Sequence, residues 1–408
     1  MPTSPLLVTS SNPPSRKVFS VISDFDISVK IFKGRGIKKS NMWFLFLMAC
    51  TIQGILSSKE PAPRTGNVNP EAYMNVSEII HRRGYCAEEY EEVTPDGYIL
   101  TVNRIPCDRI LEHEPPKPVV LLQHGFALEG SSWVANMPNN SLGFMLADAG
   151  YDVWIGNNRG NSWSRKHQKL TANQEQYFAY SFDEMAKYDL PFIISFIVEK
   201  SRMPKLHFVG FSQGATQGFI TFSSMPHIAE NIRMFHALAP LSTLKNPQSP
   251  FVKLLFASDG VIKTFLGKKD FSLRSEIKRE VITRICSSKV FNKLCSWVLS
   301  VVGGSNEKNL NMSRIDVYMS HFPDSTSVQN LLHWGQIHKT GKFRAFDYGS
   351  KNMARYNQTE PLSYNLERLN IPTTVWYGEK DWFADPDNVK PLICRVRKVV
   401  RYGNNLSN

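Results

Sequence analysis

Along this chain, short aliphatic runs closed by glycine or proline alternate with stretches that have helical spacing. Val119 to Leu122 is a continuous apolar run that breaks at His124-Gly125, which predicts a strand buried on both faces. Asp152 to Ile155 repeats the pattern and ends in a polar loop, Gly156-Asn-Asn-Arg-Gly-Asn. Ala186 to Lys200 is spaced as a helix, and Pro204 closes it ahead of the next apolar run, Leu206 to Val209. Helix is predicted again over Gln213 to Phe222. Met234 to Leu238, Thr373 to Trp376 and Lys398 to Tyr402 add three further strands. Strands alternating with helices imply an α/β fold, a mostly parallel sheet with helices on both faces. Between Pro240 and about Leu369 this rhythm gives way to residues rich in Lys, Ser, Asn and aromatics. Such a segment is expected to be an insertion between two consecutive strands, folded over the edge of the sheet.

Gly210-Phe211-Ser212-Gln213-Gly214 falls between a predicted strand and a predicted helix. Strand, sharp turn and helix in that order make a nucleophile elbow, and the turn leaves no room for side chains two residues before and after the serine. Ser212 is therefore the candidate nucleophile. An oxyanion hole needs two backbone donors aimed at the developing charge. Gln213 N–H, at the free start of the helix, is one candidate. Phe126 N–H, in the turn after the 119–122 run, is the other. The acid and then the histidine should follow the serine in sequence. Asp381 is the first carboxylate after the Thr373–Trp376 strand and is favoured over Asp385 and Asp387. None of the ten histidines lies after Asp381. A serine hydroxyl without an imidazole to take its proton is a poor nucleophile near neutral pH, so the base is missing from this expected triad. His124 is the nearest remaining candidate to replace it.

Composition changes the picture mainly at the ends. The 408 residues, 42% hydrophobic and 12% aromatic, suffice for one large core and an inserted subdomain. The formal charge of +12 is concentrated at the termini: residues 1–41 carry +5 and residues 391–408 carry +4. A basic body of the kind that binds nucleic acid is thereby excluded, and no nucleic-acid partner is expected. Trp43 to Leu56 is an apolar run too short and too interrupted for a membrane span, and it has the length of a signal-peptide core, with Met42 as the working start. Sequons at Asn75, Asn139, Asn311, Asn357 and Asn405 agree with a secretory route. Cys286 and Cys295 are close enough to bridge one loop in an oxidising compartment. No zinc spacing, phosphate loop or dinucleotide fingerprint is present, and neither a metal nor another cofactor is expected.

Several longer motifs point one way together. They are Asn69-Pro-Glu-Ala-Tyr-Met through Gly84-Tyr85, Glu89-Tyr-Glu-Glu-Val-Thr-Pro-Asp-Gly-Tyr-Ile-Leu, Leu122-Gln-His-Gly, Asp152-Val-Trp-Ile-Gly-Asn-Asn-Arg-Gly-Asn, Phe182-Asp-Glu-Met-Ala-Lys-Tyr-Asp-Leu-Pro and Ala237-Leu-Ala-Pro. From about Asn69 to about Asp387 the chain resembles the acid lipases, the family of gastric and lysosomal acid lipase. The resemblance implies an α/β-hydrolase fold with a cap and mobile lid, and a cap disulfide between Cys286 and Cys295. It implies hydrolysis of acylglycerols or cholesteryl esters at a lipid–water interface through an acyl-enzyme on Ser212, with Phe126 and Gln213 as oxyanion donors and Asp381 orienting the base. The expected organisation is a basic extension (1–41), a signal peptide (42–58), a core in two parts (59–239 and 370–408) and the cap and lid (240–369). The expected locale is extracellular or the lysosomal lumen, without a stable transmembrane span. Two departures stand out. Phe211 occupies a position where the family usually has histidine, and after Asp387 the familiar pattern fades before the loop that would carry the catalytic histidine. The alternative reading is a lipid-binding protein of the same fold that performs no turnover.

Overall fold

The two apolar runs that open the sequence pattern lie side by side in the middle of a sheet, with alternate residues facing opposite layers. The computed structural model describes residues 68–106, 117–245, 276–303, 309–378 and 381–403, with isolated positions between 247 and 271. The basic extension, the apolar run before residue 58, Cys107 and Asn405 lie outside the described residues. The strands are β1 (Glu88–Val93), β2 (Tyr98–Ile105), β3 (Val119–Gln123), β4 (Asp152–Gly156), β5 (Lys166–His167), β6 (Leu206–Phe211), β7 (Ile232–Leu238), β8 (Asp270–Phe271), β9 (Thr326–Ser327), β10 (Thr373–Trp376) and β11 (Val399–Gly403). The main sheet runs β1-β2-β4-β3-β6-β7-β10-β11, with β5 paired to β2. From β4 to β11 every pairing is parallel, whereas β1, β2 and β5 form an antiparallel edge.

Val119 and Leu121 belong to one apolar layer and Val120 and Leu122 to the other, which is why β3 reads as an unbroken hydrophobic run. The main helices are α1 (Val76–Arg82), α2 (Leu142–Asp148), α3 (Leu190–Ser201), α4 (Gln213–Ser224), α5 (Glu276–Ser287), α6 (Asn292–Gly303), α7 (Ile315–His321), α8 (Val328–Thr340) and α9 (Pro386–Ile393). Helix α3 buries Leu190, Ile193, Ile194 and Ile197 in the first layer, beside Ala215, Phe219 and Phe222 of α4. Val76, Ile79 and Ile80 of α1 join Leu142, Phe144 and Leu146 of α2 on the opposite face.

The helix expected from Ala186 begins later than its periodicity suggests. Met185–Asp189 is a wide turn of the i to i+5 kind, and the α-helix proper starts at Leu190. Pro191 has no N–H to donate to the preceding turn, so the ladder opens just before it. The carbonyl of Ala186 accepts instead from the Thr221 hydroxyl at 2.6 Å.

Strands β7 and β10 are adjacent and parallel, pairing Phe235 with Thr373, and the long segment between them adds no strand to the main sheet among the described residues. Its own two-strand pair is β8 with β9. The segment is fastened to the rest of the chain by buried and part-buried polar contacts. Arg314 donates to the carbonyl of Ala135 at 2.7 Å, and the Asp324 carboxylate accepts from the Ser162 hydroxyl at 2.6 Å and its N–H at 2.9 Å. Cys286 and Cys295 form a disulfide, with Cα atoms 5.8 Å apart.

Candidate active site

The chain leaves β6 at Phe211 and enters α4 at Gln213, so Ser212 alone must make the turn. Its backbone sits at φ 51° and ψ −117°, a conformation that residues with side chains rarely adopt. The strain is held from both sides. Ser212 N–H donates to Leu238 of β7 at 2.8 Å, and the Ser212 carbonyl accepts from Thr216 at 3.1 Å. Close approach of backbone to backbone explains the flanking glycines. A Cβ on Gly214 would stand 2.4 Å from the Gln123 carbonyl oxygen, and one on Gly210 would stand 2.7 Å from Ala215 N. The loop after β3 presses on the serine from the other side, where a Cβ on Gly125 would lie 3.1 Å from Ser212 Cβ. Phe211 flanks the same glycine, half-buried against both apolar layers.

Gln213 is the first residue of α4, where an N–H has no partner within the helix. Its side chain is buried and clamped: Oε1 accepts from Trp334 Nε1 at 2.8 Å and from Asn330 Nδ2 at 3.1 Å, both on α8. Phe126 follows β3, with its ring 5.9 Å from that of Phe271 in β8. The next residue, Ala127, has φ 50°, and its carbonyl accepts from Asp324 N–H at 2.7 Å.

His124 fixes this loop rather than serving the serine. Its Nε2 accepts from Asn158 N–H at 3.1 Å, so the proton resides on Nδ1, which donates to the Gly125 carbonyl at 2.9 Å. Burial pushes its pKa down to about 4. Both ring nitrogens are engaged, and His124 as a substitute base does not fit this geometry. Asn157 and Asn161 complete the brace: Asn157 Oδ1 accepts from Gly130 N–H at 2.9 Å and from Asn161 Nδ2 at 3.1 Å.

Asp381 lies in the turn after β10, only 6% exposed. Its Oδ1 accepts from the backbone of Phe383 at 2.8 Å and Ala384 at 2.9 Å. Burial raises its pKa to about 6 against the lowering effect of those two donors. Asp385 does a different task, capping α9 by accepting from Asn388 N–H at 2.8 Å. Phe126, Ser212 and Asp381 thus follow β3, β6 and β10, at the carboxyl ends of nearby parallel strands, the usual ligand-binding edge of such sheets. His207 and His236 are strand residues of β6 and β7, and burial pushes them down to about 4 and about 3. A cavity of about 210 Å³ lined by Asn75, Glu89, Thr101, Asn103 and Lys166 borders the antiparallel edge and shares no residue with this cluster.

The bracing residues were only partly visible in the sequence. Asn157, Asn158 and Asn161 are recognisable as polar residues directly after a buried strand, whereas Asn330 and Trp334 carry no local signal. They meet Gln213 only because the inserted segment folds back across the sheet.

Residues 118–403 match the model of the alpha/beta hydrolase fold, and residues 76–137 match the partial alpha/beta-hydrolase lipase region. The chain is 46% identical to lipase member M of Homo sapiens over 369 residues, covering 90% of this chain and 87% of that protein. It is 47% identical to lysosomal acid lipase/cholesteryl ester hydrolase of Homo sapiens over 362 residues, covering 88% and 91%. Lipase member K of Homo sapiens is 46% identical over 364 residues, covering 88% and 91%. With this likeness running through the elbow, its bracing loops and the inserted segment alike, the chain belongs to the acid lipase family of α/β-hydrolases.

Proposed function

We propose that the site is built to hydrolyse carboxylic esters of lipids, acylglycerols or cholesteryl esters, through an acyl-enzyme on Ser212. The observation that carries this reading is the strained backbone of Ser212 between β6 and α4, closely approached by Gly125 and followed by Gln213 at the first position of the helix, where an N–H has no intrahelical partner. In the reaction, Ser212 Oγ attacks the ester carbonyl carbon while its proton passes to an imidazole. The carbonyl oxygen becomes an oxyanion that accepts from the N–H groups of Gln213 and Phe126. Collapse releases the alcohol with that proton, and water then repeats the sequence on the acyl-enzyme. Asp381 orients the imidazole and balances its charge. Residues 240–369 act as cap and lid over the acyl site.

No histidine stands among residues 382–408 of this sequence, and His124 is already committed to its loop. Those two observations favour a second reading for the chain as given: a lipid-binding form of the same fold that performs no turnover. We assign the protein to the secretory route, extracellular or lysosomal. Asn139 and Asn357 are exposed and suited to carry glycans, whereas the side-chain oxygens of Asn75 and Asn311 cap turns of helix. The test is hydrolysis of a short-chain chromogenic ester by the secreted chain, by Ser212→Ala and by a version extended with a family-type C-terminal segment. Activity confined to the extended version and abolished by Ser212→Ala is expected. Equal turnover by the Ser212→Ala form would refute the assignment of the nucleophile.

A further inference from the structure

We propose that Asn330 and Trp334 of α8 are positioning residues that fix the backbone N–H of Gln213 where the oxyanion forms, so that the inserted segment completes the site. The inference deepens the ester-hydrolysis reading above and rests on it for what that N–H does. The start of α4 needs an outside tether. Ser212, the residue before the helix, sits in its strained turn and makes no side-chain cap bond. A helix without such a cap lacks one of the usual anchors at the end where its free N–H groups point. The tether is the side chain of Gln213 itself. Its Oε1 accepts from Trp334 Nε1 at 2.8 Å and from Asn330 Nδ2 at 3.1 Å, while its Nε2 contacts Met185 Sδ at 3.5 Å. All three residues are buried. An amide oxygen that left these donors would be desolvated without a partner, so the glutamine is held against α8.

The polarity of the tether is fixed from both ends. An indole Nε1–H and a backbone N–H can only donate. Trp334 therefore requires the oxygen of the Gln213 amide on its side. Phe182 N–H, which donates to Asn330 Oδ1 at 3.0 Å, requires the oxygen of the Asn330 amide on the other. Neither amide can flip without setting donor against donor. Asn330 Nδ2 also donates to Thr326 Oγ1 at 3.0 Å, and its backbone N–H donates to Ser327 Oγ at 2.9 Å, so the same residue binds β9 at the start of α8. Asn330 thus joins three parts of the chain: the elbow through Gln213, the core through Phe182, and the inserted segment through Thr326 and Ser327. Displacement of α8 moves Gln213 with it. A group displaced by about 1 Å from the reacting geometry costs on the order of 100-fold in rate, and a donor aimed at developing charge acts on the transition state more than on substrate binding.

The dipeptide Ser-Gln occurs once in the sequence, at 212–213. The full chain labelled with carbonyl-13C serine and amide-15N glutamine therefore gives one correlated backbone signal in nuclear magnetic resonance, that of Gln213. Asn330→Ala and Trp334→Phe are each expected to shift it. Gln329→Ala, which removes a contact to Tyr348 from the same helix, should leave it in place. Trp334→Phe keeps a ring in the core and loses one donor, so it reads the tether even if Asn330→Ala does not fold. Octanoate, whose carboxylate mimics the oxyanion, should move the wild-type signal and move it less in either variant. Hydrolysis of a short-chain ester is read with added imidazole, since no histidine follows Asp381. There kcat should fall about tenfold or more in Asn330→Ala with KM within about twofold of wild type. An unmoved Gln213 signal in a folded variant, or a loss of turnover carried by KM alone, would overturn the proposal. A wild-type signal indifferent to octanoate would instead refute the oxyanion role of Gln213 in the reaction proposed above, and the response to Asn330→Ala and Trp334→Phe would still decide the tether.

Discussion

Asp381 carries a buried carboxylate that accepts from two backbone N–H groups, and its pKa of about 6 has a direct consequence for stability. A carboxyl group raised above its unfolded value favours the fold most below pH 4, and that contribution is lost as the pH rises through 6. Asp381→Asn keeps an oxygen for the two donors and removes the ionisation. Urea denaturation should show equal stability of the two proteins at pH 4 and a gain of roughly 2–3 kcal/mol for the asparagine form at pH 8. Equal stability at both values would mean that the carboxylate is solvated or paired. Gly214 is the second informative residue, since a methyl group there meets the Gln123 carbonyl oxygen at 2.4 Å. Gly214→Ala is expected to cost ~1–3 kcal/mol in thermal unfolding and to displace the loop after β3. The residues of the elbow were legible because their chemistry is local: a strand, a turn and a helix in sequence specify Ser212, Gln213 and the glycines. Asp381 was favoured over Asp385 and Asp387 by order alone, and the helix-capping contact of Asp385 had no local signal in that choice.

At the scale of elements, the buried apolar strands were readable and the antiparallel edge was not. Strands β3, β4, β6, β7 and β10 are apolar runs, and their ends fall within a few residues of the expected ones. Strand β1, Glu-Glu-Tyr-Glu-Glu-Val, alternates half-buried and exposed positions and carries glutamates that protect a sheet edge, so it presents no hydrophobic run to detect. The start of α3 was misplaced because periodicity does not register the hydrogen bond that Pro191 cannot make. The most consequential contact between elements joins the inserted segment to the core at Glu129. Its carboxylate accepts from Trp163 Nε1 at 2.6 Å and Ser131 N–H at 2.7 Å, and it faces His321 Nδ1 at 2.9 Å. Burial would raise its pKa, but the hydrogen bond and charge of His321, with the Ser131 donors, outweigh burial and hold it at about 2. A lowered carboxylate contributes stability above pH 4 and loses it as pH falls towards 2, so the two parts should stay docked through mild acid. Glu129→Gln is expected to cost ~3–5 kcal/mol and to move the acid unfolding midpoint upward. Unfolding followed by circular dichroism from pH 7 to pH 2 measures this, and an unshifted midpoint would show that the contact is dispensable.

For the whole molecule, the sequence indicated where the extra segment lies but not how it engages the site. Asn330 and Trp334 stand far from Gln213 in sequence and bind its side chain only after the segment folds across the sheet, a long-range event that no local pattern encodes. Together the parts describe a site whose proposed nucleophile, oxyanion donors and orienting acid are preformed, while no histidine stands among residues 382–408. The most direct measurement is chemical rescue. Hydrolysis of a short-chain ester by the 408-residue chain is followed against free imidazole concentration, with Ser212→Ala and Asp381→Asn beside it. A saturable, Ser212-dependent increase with imidazole that Asp381→Asn weakens is the predicted result. Full Ser212-dependent turnover without imidazole, or an increase that is the same in Ser212→Ala, would contradict the account.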